Sequence, residues 1–354
     1  MKKTTFILKI LFILLFAVIS LQINAQYISV PGSNLSYEDS ATWQGEPANI
    51  EWHTQDIIIS SMSEVIRTGD IVQYNGDVII YGHLKVDGNL VACGGKTLHV
   101  VNGAVLEVES LESDDSIIVE EGGKIIVKNN FNVLSNSSIA LDGEINVGGN
   151  FDNGTALKIN STGVFTIDGD VTFYSNQIEV YGGTLEIKGG LKTNNHIKIA
   201  EGGTFIIHEN LWQNESNIQI EDGLAIVKGD IERVVNPDIG VDGILVIGGD
   251  FAYIGDLNLE ESQTKPDNDD GKIYMTKYPR GTVTDGGFNK TTPEQNGFGD
   301  LDDLLAEKGD NENIMDWLGK LDMASSQREW TGEAGDNDWF NKDTSLPKLL
   351  PNSN

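Results

Sequence analysis

From Gly123 onward, apolar side chains recur at fixed offsets from a glycine that returns every 20 residues. The glycines are Gly123, Gly143, Gly163, Gly183, Gly203, Gly223 and Gly243, with Gly103 one step earlier and Gly82 one residue out of phase. At +2, +4 and +8 stand Ile125, Val127, Phe131; Ile145, Val147, Phe151; Phe165, Ile167, Val171; Leu185, Ile187, Leu191; Phe205, Ile207, Leu211; Ala225, Val227, Ile231; and Leu245, Ile247, Phe251. The unit at Gly103 departs, its apolar set being Leu106, Val108 and Leu111. Alternation with period two over so few residues predicts short strands. A second alternation precedes each glycine, as in Leu157/Ile159, Ile178/Val180 and Ile197/Ile199.

One 20-residue unit cannot bury its apolar side alone, whereas stacked units can. The predicted fold is therefore all-β, a parallel β-helix (β-solenoid) with coils of about 20 residues stacked about 4.8 Å apart. Prolines agree with this, since only Pro237 falls between residues 48 and 265 and proline cannot donate to a β ladder. The column at +7 reads Asn130, Asn150, Asp170, Gly190, Asn210, Asp230, Asp250, residue types that suit corners. It predicts a bend once per coil and hydrogen bonds between stacked side-chain amides. The recurring glycine reads as a residue demanded by a bend.

The pattern divides the chain. Residues 1–25 carry Lys2 and Lys3, an apolar stretch and Ala25, which predicts a secretory signal peptide cleaved before Gln26. Residues 26–65 are less regular and predict an N-terminal cap with Trp43 and Trp52 buried. Residues 66–261 are the parallel β-helix repeats. Residues 262–354 form an acidic C-terminal segment in which KIYMTKY (272–278) suits a last strand. In that segment Leu301, Leu304, Leu305, Ile314, Trp317, Leu318 and Leu321 have the spacing of short helices. REWTGEAGDNDWFNKD near the end echoes ATWQGEPANIEWHTQD near the start, both with W-x-G-E and a second tryptophan, and reads as the opening of a truncated second cap. A fragment of a longer surface protein is one reading of that echo.

Composition narrows the function classes. The chain has 54 acidic and 24 basic residues. Loss of Lys2, Lys3 and Lys9 with the leader takes the net charge from −30 to −33. That balance repels nucleic acid and anionic membrane surfaces and attracts cations, calcium included. Cys93 is the only cysteine, so no internal disulfide supports the fold. No segment after the leader is apolar enough to form a transmembrane span.

W-x-G (Trp43, Gly45), Trp52, Asp56-Ile57-Ile58-Ile59 and the G-x-h-x-h-x-G-[DN]-h repeats from Gly82 to Phe251 together resemble secreted and surface β-solenoid proteins of Bacteroidetes. The resemblance covers about two-thirds of the chain and implies an extracellular or cell-surface location in a Gram-negative bacterium. Its motifs speak for architecture rather than function; the expected role is adhesive or matrix, with extracellular glycans or cell-envelope components as partners. Asp39-Ser40-Ala41 and Asp115-Ser116-Ile117 match the short pattern that such bacteria use for O-glycosylation.

No residues are assigned to catalysis, to cofactor binding or to a metal. Lys188, His208 and Lys228 share the +5 column and predict a basic patch on adjacent coils. Asp170, Asp230 and Asp250 read as corner residues. PDNDDG (266–271) misses the calcium-loop spacing and is at most a weak cation site. His53, His83, His99, His196 and His208 show no ligand spacing, and Tyr174, Tyr181, Trp212 and Tyr253 fall in no single column. The leading expectation is a non-enzymatic β-solenoid scaffold. The alternative is a carbohydrate-active β-helix, resembling a polysaccharide lyase or glycosidase or binding glycans, whose site lies at the cap or in the C-terminal region.

Overall fold

The computed structural model describes residues 26–44, 52–134, 137–174, 177–213, 217–233, 239–241 and 243–248. It also describes the strands Phe251–Tyr253, Leu257–Asn258, Lys272–Met275, Val283–Thr284 and Phe298–Gly299. For those strands, and for Trp52, 233 and 239–241, the description is of the backbone alone. Among the described residues the fold is all-β, and the one helical turn is the short 3-10 segment Ser40–Thr42.

Each coil contributes a strand to each of three parallel ladders. Face 1 runs from Tyr27–Ser29 through Ile57–Ile59, Val78–Ile80 and Thr97–Val100 to Ile197–Ala200, Ile218–Ile220 and Ile239–Val241. Face 2 runs from Gly32–Ser36 and Ser63–Thr68 through Lys124–Val127, Glu144–Val147 and Val164–Ile167 to Leu224–Val227 and Ile244–Ile247. Face 3 includes Phe131–Val133, Phe151–Asn153, Val171–Phe173, Leu191–Thr193 and Leu211–Gln213. His83–Cys93 and Val105–Ser113 run on through the corner between faces 2 and 3. Register follows the 20-residue period, with Ile145 beside Ile125 and Phe165, and Phe151 beside Phe131 and Val171.

The inward positions form one continuous apolar column. Ile125, Ile145, Phe165, Leu185 and Phe205 on face 2 are all buried, as are Ile117, Ile139, Leu157, Ile178 and Ile197 on face 1. Phe151 has its ring centroid 5.0 Å from those of both Phe131 and Phe165 and 5.8 Å from that of Phe173, which fills the shaft across several coils. The interior also carries a polar row that sequence reasoning did not single out. Gln73, Ser113, Asn153, Thr193 and Gln213, at or next to the ends of face 3 strands, are buried. Ser113, Asn153 and Thr193 bond to the turn that follows, whereas Gln73 and Gln213 donate to Gln55 O and Asn195 O in the turn of the preceding coil. Asn153 Nδ2 donates to Thr155 O and Asn153 Oδ1 accepts from Thr155 N. Thr193 Oγ1 accepts from Asn195 N. Buried turn backbone is thus satisfied from inside the shaft, as burial demands.

The recurring glycine answers to space rather than to a bend. A Cβ on Gly143 would lie 2.3 Å from Gly123 O, and one on Gly183 would lie 2.3 Å from Asn160 O. The left-handed backbone of this turn sits one position earlier, at Gly122 (φ 77°). Pairing of Leu106 with Ile125 places Gly103 (φ 76°) opposite Gly122 and buried Ala104 opposite Gly123. That one-residue offset is why the unit at Gly103 breaks the pattern.

The +7 column is a hydrogen-bonded ladder of another kind than amide on amide. Asn130 Oδ1 accepts from Asn150 N at 3.0 Å, Asn150 Oδ1 from Asp170 N at 3.0 Å and Asp170 Oδ1 from Gly190 N at 2.9 Å. Asn210 Oδ1 accepts from Asp230 N at 2.8 Å. Only an oxygen is required, so aspartate serves as well as asparagine. That oxygen occupies the space where a Cβ of the next +6 residue would sit. A Cβ would come 2.6 Å from it on Gly149, 2.3 Å on Gly169, 2.5 Å on Gly189 and 2.2 Å on Gly229. Where the preceding coil lacks Asn or Asp, at Ser110 and Gly190, the +6 residue is free to be Asn129 or Glu209.

The ladders outrun the predicted repeat at both ends. The described residues of 26–65 already contribute rungs. Tyr27–Ser29 pairs in parallel with Ile57–Ile59, while Trp43–Gln44 pairs antiparallel on its outer edge. Tyr37, Trp43 and His53 are buried beneath, with Trp43 Nε1 donating to Tyr37 O and the Tyr37 hydroxyl 3.0 Å from His53 Nε2. Beyond residue 261, Lys272–Met275 pairs with Ile244–Ile247 and then with Phe298–Gly299. The expected helices over 300–322, the second cap and PDNDDG lie outside the described residues, as does the leader.

Candidate functional site

The densest group of charged side chains near the basic column lies on the outer side of face 2, on the coils of Gly163, Gly183 and Gly203. Residues at +3 and +5 point outward there because their neighbours at +2 and +4 point in. Lys188 Nζ is 2.6 Å from Asp168 Oδ1, and His208 Nε2 is 2.9 Å from Glu186 Oε1. The hydrogen bond from His208 holds the Glu186 carboxyl below the usual carboxylate range, against partial burial that raises it. The basic patch expected from Lys188, His208 and Lys228 is therefore interleaved with Asp168 and Glu186, an alternating array on adjacent coils. A second array links Lys85, Glu107, Glu109 and Lys128 on earlier coils, with Lys128 Nζ 2.7 Å from Glu109 Oε1.

The other sequence candidates are dispersed. His53 is in the aromatic cap, where burial and then the Arg67 guanidinium push its imidazole down to about 4. His99 Nε2 lies 2.9 Å from Glu120 Oε1, His83 Nδ1 lies 3.7 Å from Glu64 Oε1, and His196 Nδ1 accepts from Asn217 N. Each is on a different coil. Among the described residues no three His, Cys, Asp or Glu side chains are placed to hold a metal ion. Asp170 and Asp230 are corner residues of the ladder, and Asp250 lies outside the described residues. The Cys93 thiol, half-buried, donates to Gln73 O, and burial pushes it up.

The aromatics are likewise separated. Tyr174 is exposed at a turn. Lys192 Nζ stands 4.9 Å from the centroid of the Trp212 ring on face 3, and Lys158 Nζ 5.2 Å from that of Tyr181 on face 1. The two pairs sit on different faces and make no common platform. Ser40 is exposed in its 3-10 turn, whereas Ser116 is half-buried at a strand start within 3.4 Å of Ser138 Oγ. Asp115 is buried, with Oδ1 accepting from Lys96 N, and burial raises its carboxyl.

Sequence reasoning missed an apolar strip on the outer side of face 2. The +3 column reads Ile126, Asn146, Thr166, Glu186 and then Ile206, Ile226, Val246. The last three are as buried as the core although their neighbours Phe205, Ile207, Ala225, Val227, Leu245 and Ile247 are the ones that face inward. The signal was present as a switch from polar to β-branched residues at a fixed offset. No protein-family model, no curated protein and no solved structure matches this chain.

Proposed function

We propose that the chain is a secreted, non-enzymatic β-solenoid that acts as a cell-surface, adhesive or matrix scaffold. The observation that carries this reading is the regularity of the shaft between Gly123 and Ile247. Its interior is filled by side chains in every described coil, and its faces are joined by turns too short to wall off a substrate. Enzymatic cleavage of a sugar chain needs a cleft that excludes water and orients the reacting carboxylates. The outward carboxylates Asp168 and Glu186 are instead engaged with Lys188 and His208 on an open face. Recurrent surface chemistry on a rigid rod suits repeated weak contacts with a glycan or a cell-envelope polymer, whose avidity grows with the number of coils engaged.

The carbohydrate-active reading draws support from Trp212, an outward indole flanked by Lys192, which is a surface able to stack on a sugar ring. Incubating residues 26–354 with pectin, alginate, glycosaminoglycans and plant glucans separates the two. The scaffold reading expects binding on a glycan array with no new reducing ends or unsaturated products. Turnover abolished by Glu186→Gln or by Trp212→Ala overturns it in favour of an enzyme.

A further inference from the structure

We infer that the shaft has a built-in parting line, the junction between the coil of Gly183 and the coil of Gly203, at which the strands from Thr204 to Ile247 open away from the earlier coils as one cooperative unit. The three ladders cross this junction, joining Thr184–Ile187 to Thr204–Ile207, Leu191–Thr193 to Leu211–Gln213 and Ile197–Ala200 to Ile218–Ile220. The bonds that reinforce the ladders elsewhere are missing here. At the corner, Asn130, Asn150 and Asp170 each hold the backbone N–H of the next coil, and Asn210 does so again for Asp230. Gly190 has no side chain, so the rung from this coil to Asn210 N is absent. The backbone bond beside the gap, from Glu209 N to Gly189 O, is 3.3 Å long, against 2.8 Å from Asn129 N to Glu109 O at the gap beside Ser110. That earlier gap is made good, because the strand Val105–Ser113 runs through its corner and pairs with both Lys124–Val127 and Phe131–Val133. At Gly190 one strand ends at Ile187 and the next begins at Leu191.

The interior is weak at the same level. Gln213 reaches back to donate to Asn195 O, which leaves Asn195 Nδ2 and Gln213 Oε1 buried without a partner. Asn153, in the column of Gln213 three coils earlier, has both side-chain polar atoms bonded to Thr155. A buried polar atom without a partner keeps its whole desolvation cost, which outweighs one missing bond at an exposed corner. The coils above the junction carry backbone strain as well. Asp222 (φ 50°) holds the left-handed conformation that Gly122, Gly182 and Gly202 hold on earlier coils, and a side chain makes that conformation costly. Outward contacts do not single the junction out. His208 meets Glu186 across it and Lys192 lies over Trp212, while Lys188 meets Asp168 across the junction before. Such contacts at the outer surface add little. Stacked repeats with unequal interfaces open in contiguous units, and the boundary falls at the weakest interface.

Native-state hydrogen exchange of residues 26–354 at rising urea concentrations is the test. Lys188 N and Val171 N bond across the junction before, to Ile167 O and Gly190 O. His208 N and Leu191 N bond across the parting line, to Ile187 O and Asn210 O, and Lys228 N and Leu211 N across the junction after, to Ile207 O and Asp230 O. The last four are expected to exchange together, about tenfold faster than the first two. Gly190→Asn with Glu209→Gly restores the corner pair found at Asn150 and Gly169. Measured against Glu209→Gly alone, it is expected to slow the four about fivefold, the effect of one ordinary hydrogen bond. Asn130→Gly removes a corner bond within the earlier coils, so it is expected to speed Lys188 and Val171 about fivefold and leave the four unchanged. Simple fraying from the end gives instead a gradient, with Lys228 and Leu211 ahead of His208 and Leu191. That gradient, a step at another junction, a double variant that exchanges like Glu209→Gly, or an Asn130→Gly chain in which all six amides speed up alike each overturns the proposal.

Discussion

Replacing Gly169 by alanine tests the rule that couples a corner oxygen to the glycine of the next coil. The φ of Gly169 lies outside the left-handed region, so alanine brings no backbone penalty there. What it brings is a Cβ 2.3 Å from Asn150 Oδ1 and 2.7 Å from Gly149 O. The asparagine must swing away and give up its bond to Asp170 N, worth about 1 kcal/mol at an exposed corner where water takes its place. The backbone contact adds strain of about 1 kcal/mol, for about 2 kcal/mol in all. Asn150→Gly alone loses the same bond and adds the chain entropy of a glycine, about 1.5 kcal/mol together. In the double variant no side-chain oxygen meets the new methyl and only the backbone contact with Gly149 O remains, so the lost bond is counted once and the total is about 1 kcal/mol less than the sum. The chain itself holds the double variant in Gly190 followed by Glu209. Urea unfolding of the four chains by far-UV circular dichroism gives the coupling directly. Costs that add to within about 0.4 kcal/mol would refute the steric account.

Three further outcomes are expected, two from the geometry and one from the sequence. Ile187→Asp buries an unpaired charge between coils and is expected to cost several kcal/mol and melt neighbouring coils together, while exposed Lys188→Ala costs under about 1 kcal/mol despite its contact with Asp168; denaturant midpoints compare them. His53, held down to about 4 in the folded state, favours the fold fully above its unfolded value near 6.5, and that stability is lost as pH falls between the two. The shift corresponds to roughly 3 kcal/mol at this buried site, and a His53→Gln chain whose stability has the same pH slope between 6.5 and 4 would contradict it. Cleavage of the leader predicted from the sequence is expected to leave a chain that starts at Gln26, and mass spectrometry that finds residues 1–25 on the protein recovered outside the inner membrane would exclude cleavage there.

Much of the shaft was legible because a β-helix repeats one local rule. Burial alternates with period two, and the stacking of Ile125, Ile145 and Phe165 follows directly from the spacing of 20. The ends were less legible because register there is carried by pairing rather than period. The coil closed by Ala104 is displaced by one residue, and Lys272–Met275 rejoins face 2 only after a long excursion. The columns of single residue types were visible, but their chemistry was not. Asn130, Asn150 and Asp170 bond to backbone rather than to one another, a choice set by the height of one coil above the next. Lys188 and His208 read as a patch because their partners Asp168 and Glu186 lie one coil away in sequence and adjacent in space.

The aromatic plug of Tyr37, Trp43 and His53 gives the rod a beginning. These residues precede the coils in sequence, and their antiparallel strand covers the outer edge of face 1, on the side away from the later coils. Each later coil then meets one finished template, and its pairing partner lies about 20 residues upstream over most of the shaft and about 30 at its ends. For an all-β protein this is an unusually local set of contacts, and local contacts close fast. Assembly can therefore keep pace with delivery, one rung at a time at the advancing tip.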